Sequence, residues 1–506
     1  MSTLDYTSPT LGDLAALAGG RVEPAGATGC RVSGISLDST QTQAGELFAA
    51  VPGTRAHGAS YAASSAASAI LTDAEGLALL RTAAETRPLI VVEDVRDVLG
   101  AVSAAVYGFP SKSLTVLGVT GTSGKTTTTY LLERGLTAAG HRVGLIGTTG
   151  TRILGRPIPT SLTTPEAPAL QALFARMVSE GITHVVMEVS SHALVLGRVA
   201  GTDFDVAGFT NLSQDHLDFH PTMEDYFEAK ALFFDPSSPL SARTSVICVD
   251  DEWGIRMAHR ARHAITVGTV GQEGLDCKAT LVDATASGSQ SISIALGAHD
   301  YNATLPLPGA FNVANAALAT AMADAVGVSP AAFLPGLADA AVPGRMERID
   351  AGQDFVAVVD YAHKPAAVAA ALDTLREQVS GRVGVVVGAG GDRDSSKRPL
   401  MGQAAAQRAD LVIVTDDNPR TEDPAQIRAA VLQGARGVGS GSDIRECASR
   451  ADAITELVEW AAPGDAVIVV GKGHEVGQIL GDRTLHFDDR EEVRRALAAR
   501  GYGEYL

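Results

Sequence analysis

The chain has 506 residues, more than one hydrophobic core usually organises, so two to four domains are expected and three are predicted. Its 58 acidic and 40 basic residues give a formal net charge of -18, which disfavours non-specific binding to nucleic acid or anionic membranes. The four cysteines have no paired spacing, the N-terminus lacks the features of a signal peptide, and no apolar run has the length of a membrane span. We therefore expect a cytoplasmic protein without a zinc site or a disulfide framework.

The first predicted domain, residues 1–112, mixes short apolar runs with alanine-rich, helix-prone stretches. The apolar runs at 47–51, 69–71 and 89–92 have the length of buried strands. This pattern predicts a small α/β domain. It ends at a predicted linker, residues 107–111.

A glycine-rich turn begins the second predicted domain, residues 113–343. An apolar run starting at Leu114 leads into Gly121, and Lys125 and Thr126 then open a predicted helix. The N–H groups of such a turn bind phosphate oxygens, the lysine reaches the β- and γ-phosphates, and the threonine hydroxyl holds Mg²⁺. The turn therefore predicts an ATP or GTP site, and the alternative is a strand-to-helix turn that binds no ligand.

Strands and helices alternate through the rest of this domain. Apolar runs at 143–146, 184–189 and 206–209 predict strands, and the stretches 168–180 and 314–325 predict helices. This alternation is typical of a doubly wound, mainly parallel sheet, in which ligands bind at the C-terminal ends of the strands.

Polar side chains follow two of these strands. Glu188 lies at the end of the first, as a ligand of Mg²⁺ or as a solvated acidic residue. Asp215 and His216 follow the next strand, where either could serve a metal or a proton transfer, or form a structural hydrogen bond. Lys230 lies in an aromatic, helical stretch, where the residue pattern alone predicts a surface lysine.

The third predicted domain, residues 344–506, repeats the alternation and predicts a Rossmann-like α/β domain. Its strands are short, continuous apolar runs, as in a sheet covered on both faces. The predicted strands lie at 355–359, 383–387, 411–414 and 466–470, and the predicted helices at 365–378 and 424–432.

Three polar clusters each follow a strand of the third domain, so they would meet at one edge of its sheet. Arg393 and Arg420 could bind carboxylates, Asn418 could add an amide, and Glu475 could receive an ammonium group. Such a pocket would fit a zwitterionic amino acid, and the alternative is a set of turns that only connect strands. The clusters are residues 388–394, 415–423 and 471–475.

Six motifs stand in the order in which they occur in the Mur ligases, and from about Val32 to its C-terminus the chain resembles that family. Mur ligases are ATP-dependent amide ligases that build the stem peptide of peptidoglycan. The sequence Asp417-Asn418-Pro419-Arg420 is similar to the motif of those members that select meso-diaminopimelate over L-lysine. The six motifs are residues 121–127, 187–192, 210–218, 309–315, 344–347 and 360–363.

The resemblance implies ligation of meso-diaminopimelate to UDP-N-acetylmuramoyl-L-alanyl-D-glutamate (UDP-MurNAc-L-Ala-D-Glu). In the family's reaction ATP phosphorylates the D-glutamyl γ-carboxylate, and the amino group attacks the acyl phosphate. The resemblance implies ATP as co-substrate, Mg²⁺ as cofactor and a monomer. It also implies a UDP-sugar-binding first domain, an ATPase second domain and an amino-acid-binding third domain.

The resemblance further assigns site residues by role. The catalytic residues are Lys125, Glu188, His216 and Lys230. The ATP-binding residues are Gly121, Thr122, Ser123, Gly124, Lys125, Thr126, Thr127, Asn312, Arg345, Asp360 and His363. The metal ligands are Thr126, Glu188, His216 and a carbamylated Lys230. The residues for the UDP-linked substrate are Leu37, Ser39, Thr163, Thr164, Ser190 and Arg198. The residues for diaminopimelate are Arg393, Asp417, Asn418, Pro419, Arg420, Gly471 and Glu475.

Three alternatives stay open at this stage. The chain could be a Mur ligase that adds L-lysine, or a folylpolyglutamate-type amide ligase with a similar central domain. It could also be a nucleotide-gated binding protein that hydrolyses ATP to change conformation. The motif at 417–420 favours diaminopimelate over L-lysine, because L-lysine would leave Arg420 without its carboxylate partner.

Overall fold

A computed structural model describes residues 8–160, 162–269, 274–285 and 288–503. The strands of these residues form sheets of five, eleven and six strands and a separate two-stranded hairpin. We call the three large sheets the N-terminal, central and C-terminal sheets. Within the described residues, the helices are all too short or too polar to cross a lipid bilayer.

The N-terminal sheet has the strand order β1-β5-β4-β3-β2, with β1 antiparallel to β5 and the other pairs parallel. Helices α1 and α3 cover one face, and α2 covers the other. The strands are β1 (Arg21–Glu23), β2 (Ile35–Ser36), β3 (Leu47–Ala49), β4 (Ala69–Thr72) and β5 (Leu89–Val91). The helices are α1 (Leu11–Leu17), α2 (Ala74–Thr82) and α3 (Val95–Val106).

The central sheet is parallel through β7, β10, β6, β11, β12, β13 and β14, and an antiparallel pair of strands extends each end. Its strands are β6 (Thr115–Thr120), β7 (Val143–Gly147), β8 (Gly150–Ile153), β9 (Arg156–Ile158), β10 (His184–Glu188), β11 (Val206–Phe209), β12 (Thr244–Cys248), β13 (Ile265–Gly268), β14 (Cys277–Ala284), β15 (Gln290–Leu296) and β16 (His299–Leu305). The helices are α4 (Lys125–Ala138), α5 (Ala167–Ser179), α6 (Ser191–Val195), α7 (Met223–Ala231), α8 (Glu252–Arg260), α9 (Ala310–Ala325) and α10 (Pro330–Phe333).

Two apolar cores sandwich the central sheet. Helices α4 and α9 pack together on one face, and α5 and α7 contribute to the core on the other. Because both faces are covered, strands such as β6 and β10 are buried along almost their whole length. The C-terminal ends of β6, β10 and β11 therefore lie side by side at one edge, where their polar residues meet.

The C-terminal sheet has the order β17-β18-β22-β19-β20-β21, and only β17 is antiparallel among its described strands. Helices α11, α12 and α13 cover one face, and α14 and α15 cover the other. The strands are β17 (Glu347–Arg348), β18 (Val356–Asp360), β19 (Val383–Val387), β20 (Leu411–Val414), β21 (Asp443–Glu446) and β22 (Ala466–Val470), followed by the hairpin of β23 (Gln478–Leu480) and β24 (Arg483–Leu485). The helices are α11 (Pro365–Gln378), α12 (Lys397–Ala406), α13 (Pro424–Gly437), α14 (Arg450–Trp460) and α15 (Asp489–Ala499).

The α/β fold with a doubly wound central sheet and a Rossmann-like third sheet is confirmed. Two predicted helices were too short. Helix α9 begins at Ala310, four residues before the predicted start, because Gly309 ends the preceding segment at a positive φ of 95°. Helix α13 continues to Gly437, beyond the predicted residue 432, because buried Leu432 and Ala435 extend its apolar face.

Candidate active site

The predicted phosphate loop, which begins at Gly121, connects β6 to α4 and contains two glycines with positive φ angles. Gly124 has a φ of 88°, which L-residues other than glycine rarely adopt. At Gly121 the φ is 142°, and an added Cβ would lie 1.9 Å from the Thr210 hydroxyl oxygen. That hydroxyl donates to the Ser123 carbonyl at 2.6 Å, and the Asn211 amide oxygen accepts from the Ser123 N–H at 3.0 Å. The loop after β11 therefore fixes the backbone of the predicted phosphate loop at Ser123.

The Lys125 ammonium lies over this loop. It donates to the carbonyls of Gly121 at 2.8 Å and Thr122 at 3.0 Å. Burial and the nearby charge of Lys364 lower the pKa of Lys125 to about 8. The ammonium is therefore still mostly protonated at neutral pH and is positioned to bind an anion.

Glu188 ends β10 and is buried, with 1% of its surface exposed. The Thr126 hydroxyl donates to its Oε1 at 2.9 Å. The Thr148 N–H and hydroxyl donate to Oε1 and Oε2, each at 2.9 Å. The sequence left open whether Glu188 is a solvated acidic residue, and its burial rules that alternative out. The Glu188 carboxylate and the Thr126 hydroxyl lie together at the start of α4.

Asp215 connects the turn after β11 to the C-terminal domain. Its Oδ2 lies 2.9 Å from the Lys364 ammonium and 3.1 Å from His216 Nε2. Burial raises the pKa of Asp215, but the charge of Lys364 outweighs that effect and holds the pKa well below its usual range. Burial lowers the pKa of His216 to about 3, so its ring is neutral at pH 7.

Lys230 lies inside the protein, and the expectation of a surface lysine is wrong. Only 1% of the residue is exposed, and its ammonium donates to the Gly121 carbonyl at 3.0 Å. The aromatic residues of α7 pack into the core, so the lysine on the same helix projects beneath the phosphate loop, 4.6 Å from the centre of the Tyr226 ring. Burial and the charge of Lys125 lower the pKa of Lys230 well below its usual range, which favours the neutral amine.

Residues from α9 and the C-terminal domain form the other wall of the site, facing the predicted phosphate loop. The Asn312 amide donates to the Pro308 carbonyl at 2.7 Å. The Arg345 guanidinium donates to the Thr126 hydroxyl at 3.2 Å. Asp360 accepts from two backbone N–H groups, at 2.6 and 2.8 Å, and His363 Nδ1 lies 2.8 Å from the Tyr361 carbonyl. These contacts fix the orientations of the four side chains.

One cavity of about 810 Å³ brings most of the predicted residues together. Its wall combines the phosphate loop and the ends of β10 and β11 with residues that follow β18. The predicted site residues that line it are Thr122, Ser123, Gly124, Lys125, Thr126, Thr127, Thr163, Thr164, Glu188, Ser190, Arg198, His216, Lys230, Asn312, Arg345, Asp360, His363 and Arg393.

Some of the predicted diaminopimelate residues line a second cavity, of about 730 Å³, instead of the first. It lies between the β8–β9 hairpin and the segment around β23, and Asn418 and Glu475 line it. The Asn418 amide donates to Glu475 Oε2 at 3.0 Å. Burial and the charge of Asp417 raise the pKa of Glu475. The Arg420 guanidinium donates to the Gly391 carbonyl at 2.6 Å.

Several predicted residues lie elsewhere. Among the described residues, the walls of these two cavities do not include Leu37, Ser39, Asp417, Pro419, Arg420, Gly471 or Gly121. Leu37 packs against the core of the N-terminal sheet, and the Ser39 hydroxyl lies 2.9 Å from that of Ser64. Arg198, in contrast, lines the first cavity, where it forms an ion pair with Glu166 at 2.8 Å.

Lys364 and Thr148 are among the residues of the first cavity that the sequence did not single out. Lys364 directly follows the motif at 360–363, so its position beside a strand end was a usable signal. Thr148 lies just beyond β7 and is followed by Thr149, and a pair of threonines in a turn has no distinguishing pattern. Its hydrogen bonds to Glu188 become visible only when β7 and β10 are paired.

Models of Mur ligase domains match three parts of the chain. The model of the Mur ligase family catalytic domain matches residues 31–107, that of the Mur ligase middle domain 119–323, and that of the glutamate ligase domain 344–473.

Curated relatives are similar over nearly the whole length. The UDP-N-acetylmuramoyl-L-alanyl-D-glutamate--2,6-diaminopimelate ligase of Corynebacterium glutamicum is 65% identical, over 92% of each chain. The protein of the same name from Streptomyces coelicolor is 46% identical, also over 92% of each chain.

Solved structures resemble the fold. A structure of a ligase with that same name is 32% identical, with a TM-score of 0.67, and the match covers 98% of this chain and 100% of that one. MurF ligase from Thermotoga maritima in complex with ADP is 20% identical, with a TM-score of 0.64 over 93% of this chain and 99% of that one, which shows a shared fold.

Proposed function

The chain belongs to the Mur ligase family, and we propose that it joins meso-2,6-diaminopimelate to UDP-MurNAc-L-Ala-D-Glu in the synthesis of peptidoglycan. It is an ATP-dependent amide ligase, with ATP as its co-substrate. The observation that carries the proposal is the cavity that combines a phosphate loop with cationic and carboxylate side chains from the C-terminal domain. An amide ligase needs this arrangement, because phosphoryl transfer and amide formation must occur in one enclosed place.

In the proposed reaction the substrate carboxylate attacks the γ-phosphorus of ATP, ADP leaves, and an acyl phosphate forms. The neutral amino group of diaminopimelate then attacks the acyl carbon, phosphate leaves with the electron pair of the broken bond, and the nitrogen loses a proton, so that the amide remains. The N–H groups of the phosphate loop and the Lys125 ammonium bind the phosphates. Arg345 lies next to Thr126 and would stabilise the negative charge that develops during phosphoryl transfer.

The residues around Thr126 fit Mg²⁺ in part. Its hydroxyl and the Glu188 carboxylate are 2.9 Å apart and supply the oxygen ligands that Mg²⁺ prefers. Within the described residues, however, no group of three or more histidine, cysteine, aspartate or glutamate side chains could hold a metal ion. A carbamate on Lys230 would add the missing anion, and neutral His216 would add a ring nitrogen. Mg²⁺ held there would offset the charge between the phosphates and the incoming carboxylate.

Lys230 has the properties that carbamylation requires. A neutral amine adds CO₂ and loses a proton, so that a carbamate replaces the ammonium group. The buried position and the neighbouring Lys125 both favour the neutral amine. A negative carbamate would in turn be stabilised by the surrounding lysines.

We assign the residues of the two substrates by their positions. Thr163, Thr164, Ser190 and Arg198 line the first cavity and would bind the peptide part of the UDP-linked substrate. Leu37 and Ser39 lie outside the cavity and would bind the more distant part of this long molecule.

Diaminopimelate would enter from the second cavity. Glu475 and Asn418 line it, and Glu475 would accept the substrate ammonium. Arg420 would bind the distal carboxylate after releasing the Gly391 carbonyl, and Arg393, on the wall of the first cavity, would bind the other carboxylate. Asp417, Pro419 and Gly471 would shape this site through their backbone.

The proposed domains follow these roles: residues 1–112 bind the UDP-sugar, 113–343 bind ATP, and 344–506 bind the amino acid. All assigned residues come from one chain, so a monomer is sufficient for the reaction. The use of ATP and of a nucleotide-linked precursor fits a reaction in the cytoplasm.

The deciding experiment supplies the purified protein with ATP, Mg²⁺ and UDP-MurNAc-L-Ala-D-Glu, together with either diaminopimelate or L-lysine. Mass spectrometry of the product is expected to show the diaminopimelate tripeptide. A product formed only with L-lysine would change the amino-acid assignment. Phosphate release without a peptide product, with both amino acids, would show that the protein is not a ligase for this precursor.

A further inference from the structure

Lys472 lies in the loop after β22 and is fully buried, with 0% of its surface exposed. A buried ammonium is stable only when charged and hydrogen-bonding partners surround it. Its Nζ donates to Asn418 Oδ1 at 3.1 Å, and it lies 3.7 Å from Glu475 Oε2 and 4.0 Å from Asp417 Oδ1. All three partners belong to the proposed diaminopimelate residues, whereas Lys472 itself has no role in the reaction described above.

The contacts of Lys472 determine which way the Asn418 amide faces. Asn418 Oδ1 accepts from the Lys472 ammonium and, at 2.9 Å, from the Ile479 N–H. Both partners are donors only, so this position must hold the amide oxygen. The amide nitrogen then faces Glu475 Oε2, to which it donates at 3.0 Å. A rotated amide would place its N–H₂ group against two donors and its oxygen against a carboxylate.

The backbone around Asn418 is held independently of Lys472. The Gln478 amide donates to the Asp417 carbonyl at 2.8 Å. The Arg420 N–H donates to the Ile479 carbonyl at 3.1 Å, and the Gly481 N–H donates to the Arg420 carbonyl at 2.7 Å. The hairpin of β23 and β24 is therefore bound to this segment through its own hydrogen bonds. Loss of the Lys472 ammonium would mainly affect the side chains of Asn418 and Glu475.

We propose that Lys472 is a positioning residue for the amino-acid substrate. It orients the Asn418 amide and places a positive charge between the carboxylates of Asp417 and Glu475, so that Glu475 remains turned toward the second cavity to receive the substrate ammonium. Lys472 acts through these side chains, because its own surface does not reach solvent. The inference rests on the proposed function and adds to it a determinant of amino-acid binding.

Steady-state kinetics of Lys472→Met test this role, because methionine keeps much of the side-chain length and removes the donor. Leaving Asn418 Oδ1 with one donor fewer is expected to raise the KM for diaminopimelate about tenfold. The KM values for ATP and for the UDP-linked precursor should stay within about twofold of the wild-type values, because their sites do not contact Lys472. The matched control is Lys278→Met, the same change on β14 of the central sheet, which should leave all three KM values unaltered.

A double-mutant cycle separates positioning from a general structural role. In an Asn418→Ala background, Lys472→Met should raise the KM for diaminopimelate by a smaller factor than in the wild-type background, since one of the two side chains through which Lys472 acts is gone. Equal rises in the KM of all three substrates, or full additivity in the cycle, would overturn the proposal. If Lys472→Met does not fold, Lys472→Leu, which also lacks a donor, supports the same comparison, and a wild-type KM for diaminopimelate in that variant would also overturn it.

Failure of the proposed function would look different. In that case the wild-type protein itself would form no diaminopimelate product, whatever the variants do. With an active wild-type enzyme, the KM pattern of the variants reports on Lys472 alone.

Discussion

The Lys364 ammonium of the C-terminal domain donates to the Thr122 carbonyl of the phosphate loop at 3.0 Å. It also forms the ion pair with Asp215 at 2.9 Å, and both side chains are more than nine-tenths buried. The predicted phosphate loop therefore has a direct polar connection to the domain that carries the proposed amino-acid residues. Lys125 donates to the same Thr122 carbonyl, so one lysine from each domain meets there.

Replacing Lys364 by methionine should weaken both stability and ligation. Removing one partner of a buried pair leaves Asp215 as an uncompensated charge, which costs about 3 kcal/mol. We expect a lower thermal unfolding midpoint and a fall in kcat of about tenfold or more, because the two domains are no longer held together at the phosphate loop.

The double variant Lys364→Met with Asp215→Asn serves as the control for stability. It removes the unpaired charge and should recover part of the lost unfolding midpoint while activity stays low. Calorimetry and the ligation assay measure the two effects. A single variant with the wild-type midpoint and kcat would contradict a structural role for this contact.

Gly121→Ala should abolish tight nucleotide binding. The added methyl group would lie 1.9 Å from the Thr210 hydroxyl oxygen at a φ of 142°, so the loop must move. We expect the Kd for ATP, measured by calorimetry, to rise more than about tenfold. Gly140→Ala is the matched control, because Gly140 also has a positive φ, of 91°, but an added Cβ there meets nothing within 4 Å. If both substitutions raised the Kd for ATP equally, backbone strain alone would explain the loss, without the contact to Thr210.

Lys230→Ala should remove ligase activity, because it removes the amine that would carry the carbamate. Short carboxylic acids such as formate or acetate are expected to restore part of the activity by supplying an anion in the space left by the side chain. The product assay is run over a range of acid concentrations. Lys125→Ala is the control, since its missing group is a cation that an acid cannot replace. Absence of rescue for Lys230→Ala at every concentration would argue against the carbamate.

The protein should lose stability in mild acid partly through His184. Burial and the adjacent His141 lower the pKa of His184 to about 4 from the usual 6.5. Between these values the unfolded chain takes up a proton that the folded chain does not, so the free energy of unfolding falls as pH drops from 6.5 towards 4. His184→Gln should therefore retain more stability at pH 4 relative to pH 7 than the wild type, by about 3 kcal/mol.

Urea unfolding at a series of pH values measures this effect. The control is His299→Gln, an exposed histidine on β16, which should keep the wild-type dependence on pH. Identical pH profiles for the wild type and His184→Gln would show that other groups cause the acid sensitivity.

Local patterns in the chain were sufficient to predict many of the elements. The predicted strands at 206–209, 383–387, 411–414 and 466–470 coincide with β11, β19, β20 and β22, and the helix at 365–378 coincides with α11. Continuous apolar runs bounded by turns identify buried parallel strands because both of their faces must leave water. The predicted helix ends were less accurate, because packing of residues such as Leu432 extends a helix beyond the point where the local sequence predicts its end.

The sequence alone also predicted a phosphate loop at 121–127, and the structure gives Gly121 and Gly124 the positive φ angles that such a loop needs. Glycine, lysine and threonine at that spacing have few other uses, because the loop needs positive φ angles and a cation beside a helix N-terminus. Tertiary structure decided the environment of each side chain. Lys230 is buried rather than exposed, Lys364 joins two domains, and Lys472 lies beneath Asn418 and Glu475. These contacts join residues that are far apart in the chain, and burial and pKa depend on such neighbours rather than on residue type.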